Sequence, residues 1–327
     1  MSHAKVALGW ADALKTDLSR PLPRKMIGRF LQEHLTRIPG AQIREGVGGR
    51  GEVYAERMSQ ALEIGEVFFL DREMLPLVVW AGRSLDDDDA LDADLWPASA
   101  GFVLLDEPLI HVDARGRQSV TKALLWHPLS YLTGQPGMAV TYLTDASDPR
   151  DETSSFIIAE SGITVNSLLD MGRLQINHID FIRYGDPVGP QAFDTSGMEF
   201  DPYGFPPLPT TENTRRFILS FLLMLNQTVT ATSREQVSPK HAARMSKRRL
   251  PSMVTVVHMR RIAGVNRAEG ESHVEWARRW IVRGHWRNQP CKVDGEWTHR
   301  RIWIAPFVKG PEDAPLIVPR KVYSLDR

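Results

Sequence analysis

Residues Glu275 to Arg287 (EWARRWIVRGHWR) crowd arginine, tryptophan and histidine into the alternating spacing of a β-strand. Side chains two apart on a strand share a face. One face takes Trp276, Arg278, Trp280, Val282, Gly284 and Trp286, and can enter a core. The other takes Arg279, Arg283, His285 and Arg287 in a row, beside Glu275, Ala277 and Ile281. Cations at that spacing repel one another unless an anion lies across them. Arginine forks bind phosphate bidentately and stack on bases, so the row is a candidate nucleic-acid surface. Downstream, Asp294-Gly295 is a favoured two-residue hairpin turn. The returning strand brings Lys292, His299, Arg300, Arg301 and Trp303 to the same neighbourhood. The candidate RNA-binding set is therefore Arg279, Arg283, His285, Trp286, Arg287, Lys292, Arg300, Arg301 and Trp303. The same arginines fit a second reading, in which they pair with acidic groups elsewhere in the chain.

Catalytic chemistry has fewer supports. His258, His273, His285 and His299 lie in or beside this segment, and His285 between arginines is the candidate acid or base of a metal-free ribonuclease. Cys291 is the one cysteine, and without a matching Cys/His array it does not make a zinc site. Asp106 and Glu107 are adjacent on a predicted strand and so point apart. No metal or cofactor is expected.

The pattern RWIVRGHWRNQP followed by HRRIWIAPFVKGP resembles a phage and prophage family that includes an anti-CRISPR protein of the type V-A class. The matching positions are Arg283, Gly284, His285 and Trp286, then Arg301, Trp303 and Pro306; the rest is a similarity of plan. The resemblance implies an anti-CRISPR-like role in which a target message is destroyed during translation, with recognition of an emerging nascent peptide. It identifies no particular target. The residues between Asn288 and Arg300 depart from the pattern.

The elements that must position this segment read as an α+β protein. Residues 1–99 form a helical and acidic N-terminal region, with helical spacing in KMIGRFLQEHL and VYAERMSQALEI and a glycine-rich connector, GAQIREGVGGRGE, between them. Residues 100–185 form a central β region built from GFVLLDEPLIHV, SVTKALLWH, MAVTYLT, SSFIIAES and HIDFIRY. Residues 186–210 hold six prolines and mark an irregular connection. Residues 211–250 comprise a buried helix, capped by Thr211, and a basic loop or short helix containing Lys247, Arg248 and Arg249. Residues 251–327 form a small basic β-module rich in tryptophan and arginine.

The formal net charge of zero conceals a strong asymmetry: residues 233–327 carry 20 Lys/Arg against 9 Asp/Glu, a net of +11. That polarity suits a polyanion-binding C-terminus or two halves that attract each other. The run SLDDDDALDAD lacks the glycine and closing glutamate of a calcium loop and reads as a solvated acidic loop. The longest apolar run, Phe217 to Leu225, is too short to span a membrane, and the N-terminus has no signal-peptide pattern. With a single cysteine, these features predict a cytoplasmic protein, and the resemblance implies that the cytoplasm is that of a bacterial host. The leading expectation is an RNA- or ribosome-associated regulator, with a nascent peptide or target protein as second partner. The alternatives are a protein-interaction inhibitor with an acidic, nucleic-acid-mimicking surface, and the metal-free ribonuclease.

Overall fold

The computed structural model describes residues 2–20, 27, 31, 47–112, 118–130, 136–152, 173–189, 214–260, 280–282, 284–293, 295–304 and 307–309. Helices α1 (His3–Leu18) and α2 (Val47–Ile64) precede strand β1 (Glu66–Leu70) and helix α3 (Met74–Arg83). Strands β2 (Gly101–Val112), β3 (Gln118–Pro128), β4 (Gly137–Asp145) and β5 (Leu174–Arg183) follow. Then come α4 (Thr214–Leu225), β6 (Thr230–Gln236), α5 (Pro239–Lys247) and β7 (Met253–Met259). The last strands are β8 (Trp280–Val282), β9 (His285–Val293), β10 (Glu296–Ile304) and β11 (Phe307–Lys309). The fold is α+β. The segment SSFIIAES and most of KMIGRFLQEHL lie outside the described residues, although Ile27 and Leu31 are buried in the core.

Seven strands form one mixed sheet in the order β5-β4-β3-β2-β1-β7-β6. Strand β1 runs parallel to both β2 and β7, and the other pairings are antiparallel. The inner strands β1 to β4 are apolar on both sides because both faces are covered there, whereas edge strand β6 is polar and largely exposed. Val67, Phe69, Phe102, Leu104, Ala123 and Leu125 face α1, α2 and Met245 of α5. Phe68, Leu70, Val103, Leu105, Leu124 and Trp126 face α3 and α4. Helix α1 buries Ala4, Ala7, Leu8, Ala11, Leu14 and Leu18, the spacing of one helical stripe, and Ser2 caps it by accepting from the Lys5 amide at 3.3 Å. Helices α3 and α4 approach closely at Gly82, where a side chain would press on the Arg216 carbonyl, and Ser220 donates across the crossing to Val78 at 2.8 Å. Among the described residues no helix is long and apolar enough to cross a membrane.

Three elements differ from the sequence expectation. The glycine-rich connector ends early, because α2 already begins at Val47 and carries Gly48, Gly49 and Gly51 in its first turns. Each glycine costs such a helix about 1 kcal/mol; the buried stripe of Tyr54, Ala55, Met58, Ala61 and Leu62 outweighs it. The acidic N-terminal region contains a strand, β1, inside the sheet between β2 and β7. The segment expected as a basic loop or short helix is a short helix, α5, but an unforeseen edge strand, β6, precedes it; Arg244 and Arg248 both grip Asp12 of α1, at 2.8 and 2.7 Å.

Gly101 is required where it stands. A Cβ there would lie 2.2 Å from the Trp126 ring, which is fully buried and anchored by its indole N–H donating to Ala98 at 3.1 Å. Gly101→Ala is expected to cost about 1–3 kcal/mol, read as a fall in the urea midpoint at constant slope. An unchanged midpoint would mean that the ring has room to move.

Two buried groups set the acid side of the stability profile. His127 lies edge-on to Tyr54 with ring centres 5.0 Å apart, and burial pushes its pKa down to about 4. The unfolded chain takes up this proton near 6.5, so stability falls as pH drops from about 6.5 towards 4. Asp180 behaves oppositely. Burial would raise its carboxyl, but the bond from His178 at 3.3 Å, with Thr214 and Arg215 beside it, holds it below the ordinary 3.8. Its contribution is present above that value and disappears only at more acid pH. Melting temperatures should therefore decline in two stages, the first absent in His127→Gln and the second reduced in Asp180→Asn, with Asp148 and Glu235, also held below their ordinary values, supplying the remainder. A profile flat to pH 4 in the wild type would contradict the first assignment.

Candidate nucleic-acid interface

The C-terminal strands lie in two small ladders. Strand β8 pairs with β11, and β9 pairs with β10, all antiparallel. The strand expected to run unbroken from Glu275 to Arg287 is instead divided: the chain leaves one ladder after Val282 and enters the other at His285, with Gly284 at the junction. Arg279 and Arg283, and also Trp276, lie outside the described residues. Val293 and Glu296 close the β9–β10 turn, and Gly295 takes φ +88°, as a two-residue hairpin of this kind needs.

Register sorts the hairpin's side chains. Trp286 opposes Trp303, Asn288 opposes Arg301, Pro290 opposes His299 and Lys292 opposes Trp297 on one face. His285, Arg287, Gln289 and Cys291 oppose Ile304, Ile302, Arg300 and Thr298 on the other. The first face meets the body at its base. Trp286 donates its indole N–H to Ala81 at the end of α3, at 2.9 Å. Trp303 is 5% exposed, lies tilted against Trp286 with ring centres 5.2 Å apart, and its amide donates to Gln227 at 2.8 Å. These two rings pack the hairpin against α3 and α4.

Arg301 continues that anchor. Its guanidinium bridges both oxygens of Asp89, one at 2.8 Å, lies 3.8 Å from Asp86 and sits 5.5 Å from the Trp286 ring centre. The acidic loop is thus more than a solvated run. Asp89 is 14% exposed in this pair, and Asp87 meets Arg216, whose own side chain is 2% exposed. Val188 and Gly189 donate to the loop's carbonyls at 2.8 and 3.0 Å. The Arg301–Asp89 pair and the two pairs of Asp12 realise the attraction between acidic and basic halves inside one molecule.

The remaining cations point away. Arg287 and Arg300 are diagonal neighbours on the outer face, both exposed, with Arg300 donating to the Asn226 carbonyl at 3.4 Å. His285 is exposed at the start of the same face, and Lys292 is exposed near the turn. Cys291 and His299 leave opposite faces, and His285 lies six residues from Cys291 along the strand, roughly 20 Å. Neither histidine is placed against the thiol. Among the described residues no group of three or more His, Cys, Asp or Glu side chains is arranged to hold a metal.

The sequence reading missed Trp297. It is 71% exposed, and the Lys292 ammonium lies 5.2 Å from its ring centre. Its position two residues beyond Gly295 was the available signal, since a side chain beside a hairpin turn seldom reaches a core.

No protein-family model matches this chain, and no curated protein is similar to it. The crystal structure of AcrVA2 is similar over 94% of this chain and 99% of its own, at 10% identity and a TM-score of 0.38. At that TM-score the likeness carries no functional inference.

Proposed function

We propose that this protein is an RNA- or ribosome-associated regulator of phage or prophage type, which lowers a target message during translation and contacts RNA through the β9–β10 hairpin. One observation carries the reading. The hairpin is fixed to the body by Trp286, Trp303 and Arg301, and this leaves Arg287, Arg300 and Lys292 exposed on its outer face and near its turn. Cations on a rigid ribbon suit a polyanion that supplies the missing countercharge. The resemblance around the RGHW segment agrees with that chemistry.

The salt dependence of binding follows directly. Three phosphate contacts on a single strand give a slope of log K against log salt of about −2. Fluorescence anisotropy with labelled RNA between low and moderate salt checks it, and an affinity that does not change with salt would refute phosphate contact. The functional test mixes the protein with translating ribosomes and follows message levels. Ribosome-dependent loss of a message, abolished in a folded Arg287→Ala/Arg300→Ala variant, is expected. Cleavage of naked RNA that disappears in His285→Ala would replace this reading with the ribonuclease.

A further inference from the structure

Resting on that reading, we infer that the turn end of the β9–β10 hairpin is a stacking platform for unpaired bases, with Trp297 as the platform and Lys292 as its phosphate-side partner. The ligand class is then single-stranded RNA, not duplex.

Trp126, Trp96 and Trp303 are buried, Trp286 is tied to Ala81, and Trp10 is covered by the Arg173 guanidinium 3.8 Å from its ring centre. Among the tryptophans whose side chains are described, Trp297 is the one left exposed. It shares a hairpin face with Trp286 and Trp303 but lies at the far end, where that face no longer meets the body. No packing duty accounts for an indole there. An isolated exposed apolar side chain would need no explanation. This one has an ammonium directly across the ladder, with His299 and Arg300 exposed next along its own strand.

That grouping matches how single strands are held. Bases stack on an aromatic face irrespective of sequence, while neighbouring cations follow the backbone. A paired duplex hides its base faces and offers the indole nothing to stack on. A ribbon lying in a duplex groove would use its arginines and leave Trp297 idle. The outer-face arginines and the terminal tryptophan therefore separate by experiment: the first serve any RNA, the second only an unpaired one.

The test measures anisotropy with an oligouridine of about 12 nucleotides, within the usual site size, and with an RNA duplex of matched length. Trp297→Ala is expected to weaken oligouridine binding about 5- to 150-fold and to leave duplex binding unchanged. Trp297→Phe should retain most of the affinity, and Arg287→Ala/Arg300→Ala should weaken both ligands. Because Trp297 is exposed, an unchanged melting temperature serves as the folding control. Equal oligouridine affinity of wild type and Trp297→Ala overturns the stacking platform while leaving the RNA reading intact. Equal losses for oligouridine and duplex also overturn it. A wild type that binds neither RNA removes the RNA reading itself. Intact oligouridine affinity with lost ribosome co-sedimentation in Trp297→Ala would assign the tip to a protein contact and overturn the proposal.

Discussion

Replacing Arg216 with methionine is expected to destabilise the protein by about 3–5 kcal/mol, the range for removing one member of a buried ionic network. The guanidinium lies inside α4, and its contacts reach three separate segments. Nε donates to Gly189 at 2.8 Å, and Nη1 donates to Leu85 at 2.6 Å and to Gly82 at 3.3 Å. Nη2 meets Asp87. Methionine fills similar volume but leaves those carbonyls without their donor, and an unmade bond to a buried carbonyl costs about 1–3 kcal/mol. The network is asymmetric, since Asp87 is 68% exposed. Solvent screens that side of the pair, so Asp87→Asn should cost no more than about 1 kcal/mol. Urea unfolding of both variants decides the matter. Comparable losses would show that the ion pair, and not the carbonyl cage, carries the energy.

Trp303→Ala is the second large effect, and its readout is local. Removing a buried tryptophan costs about 3–5 kcal/mol. Here the loss falls on a hairpin held to the body chiefly through Trp303, Trp286, Arg301 and the Gln227 bond, with one further bond from Arg300 to Asn226. A ribbon of two strands is marginal alone. It will therefore come away before the sheet unfolds. Amide hydrogens of β9 and β10 should lose about two to three orders of magnitude of exchange protection, while those of β2 to β4 keep theirs. Uniform loss across both groups would make the hairpin part of the same cooperative unit as the sheet.

Much of this architecture could be read from residue order. Alternating and continuous apolar runs marked β2, β3 and β4, the apolar stretch at Phe217–Leu225 marked α4, and Asp294-Gly295 marked the hairpin. The local alternation His285-Trp286-Arg287 also gave the right faces, with the tryptophan inward and its neighbours outward. Other features had no local signal. EVFFL is too short to separate strand from helix by period, and Pro76 in the first turns of α3 disguises that helix. The acidic loop looked solvated because its partners, Arg216 and Arg301, lie 129 and 212 residues further along the chain. No window of sequence contains both members of such a pair. Arg301 illustrates the cost for the site: beside Arg300 in sequence, it falls on the opposite face and is engaged by Asp89.

The place of β1 between β2 and β7 also has a consequence in time. Its two neighbours are β2, made soon after it, and β7, whose last residue is Met259. At about 5–20 residues per second of synthesis, roughly 10–40 s separate the appearance of Leu70 from that of Met259. Throughout that interval the nascent chain presents the open edge of Phe68, Phe69 and Leu70, the residues that later pair with Thr255, Val256 and Val257. An apolar strand edge of that kind is a template for pairing with other chains. Release of the chain before β7 would leave it open permanently, so premature termination before the codon for Met253 should yield aggregated protein rather than a shortened soluble one.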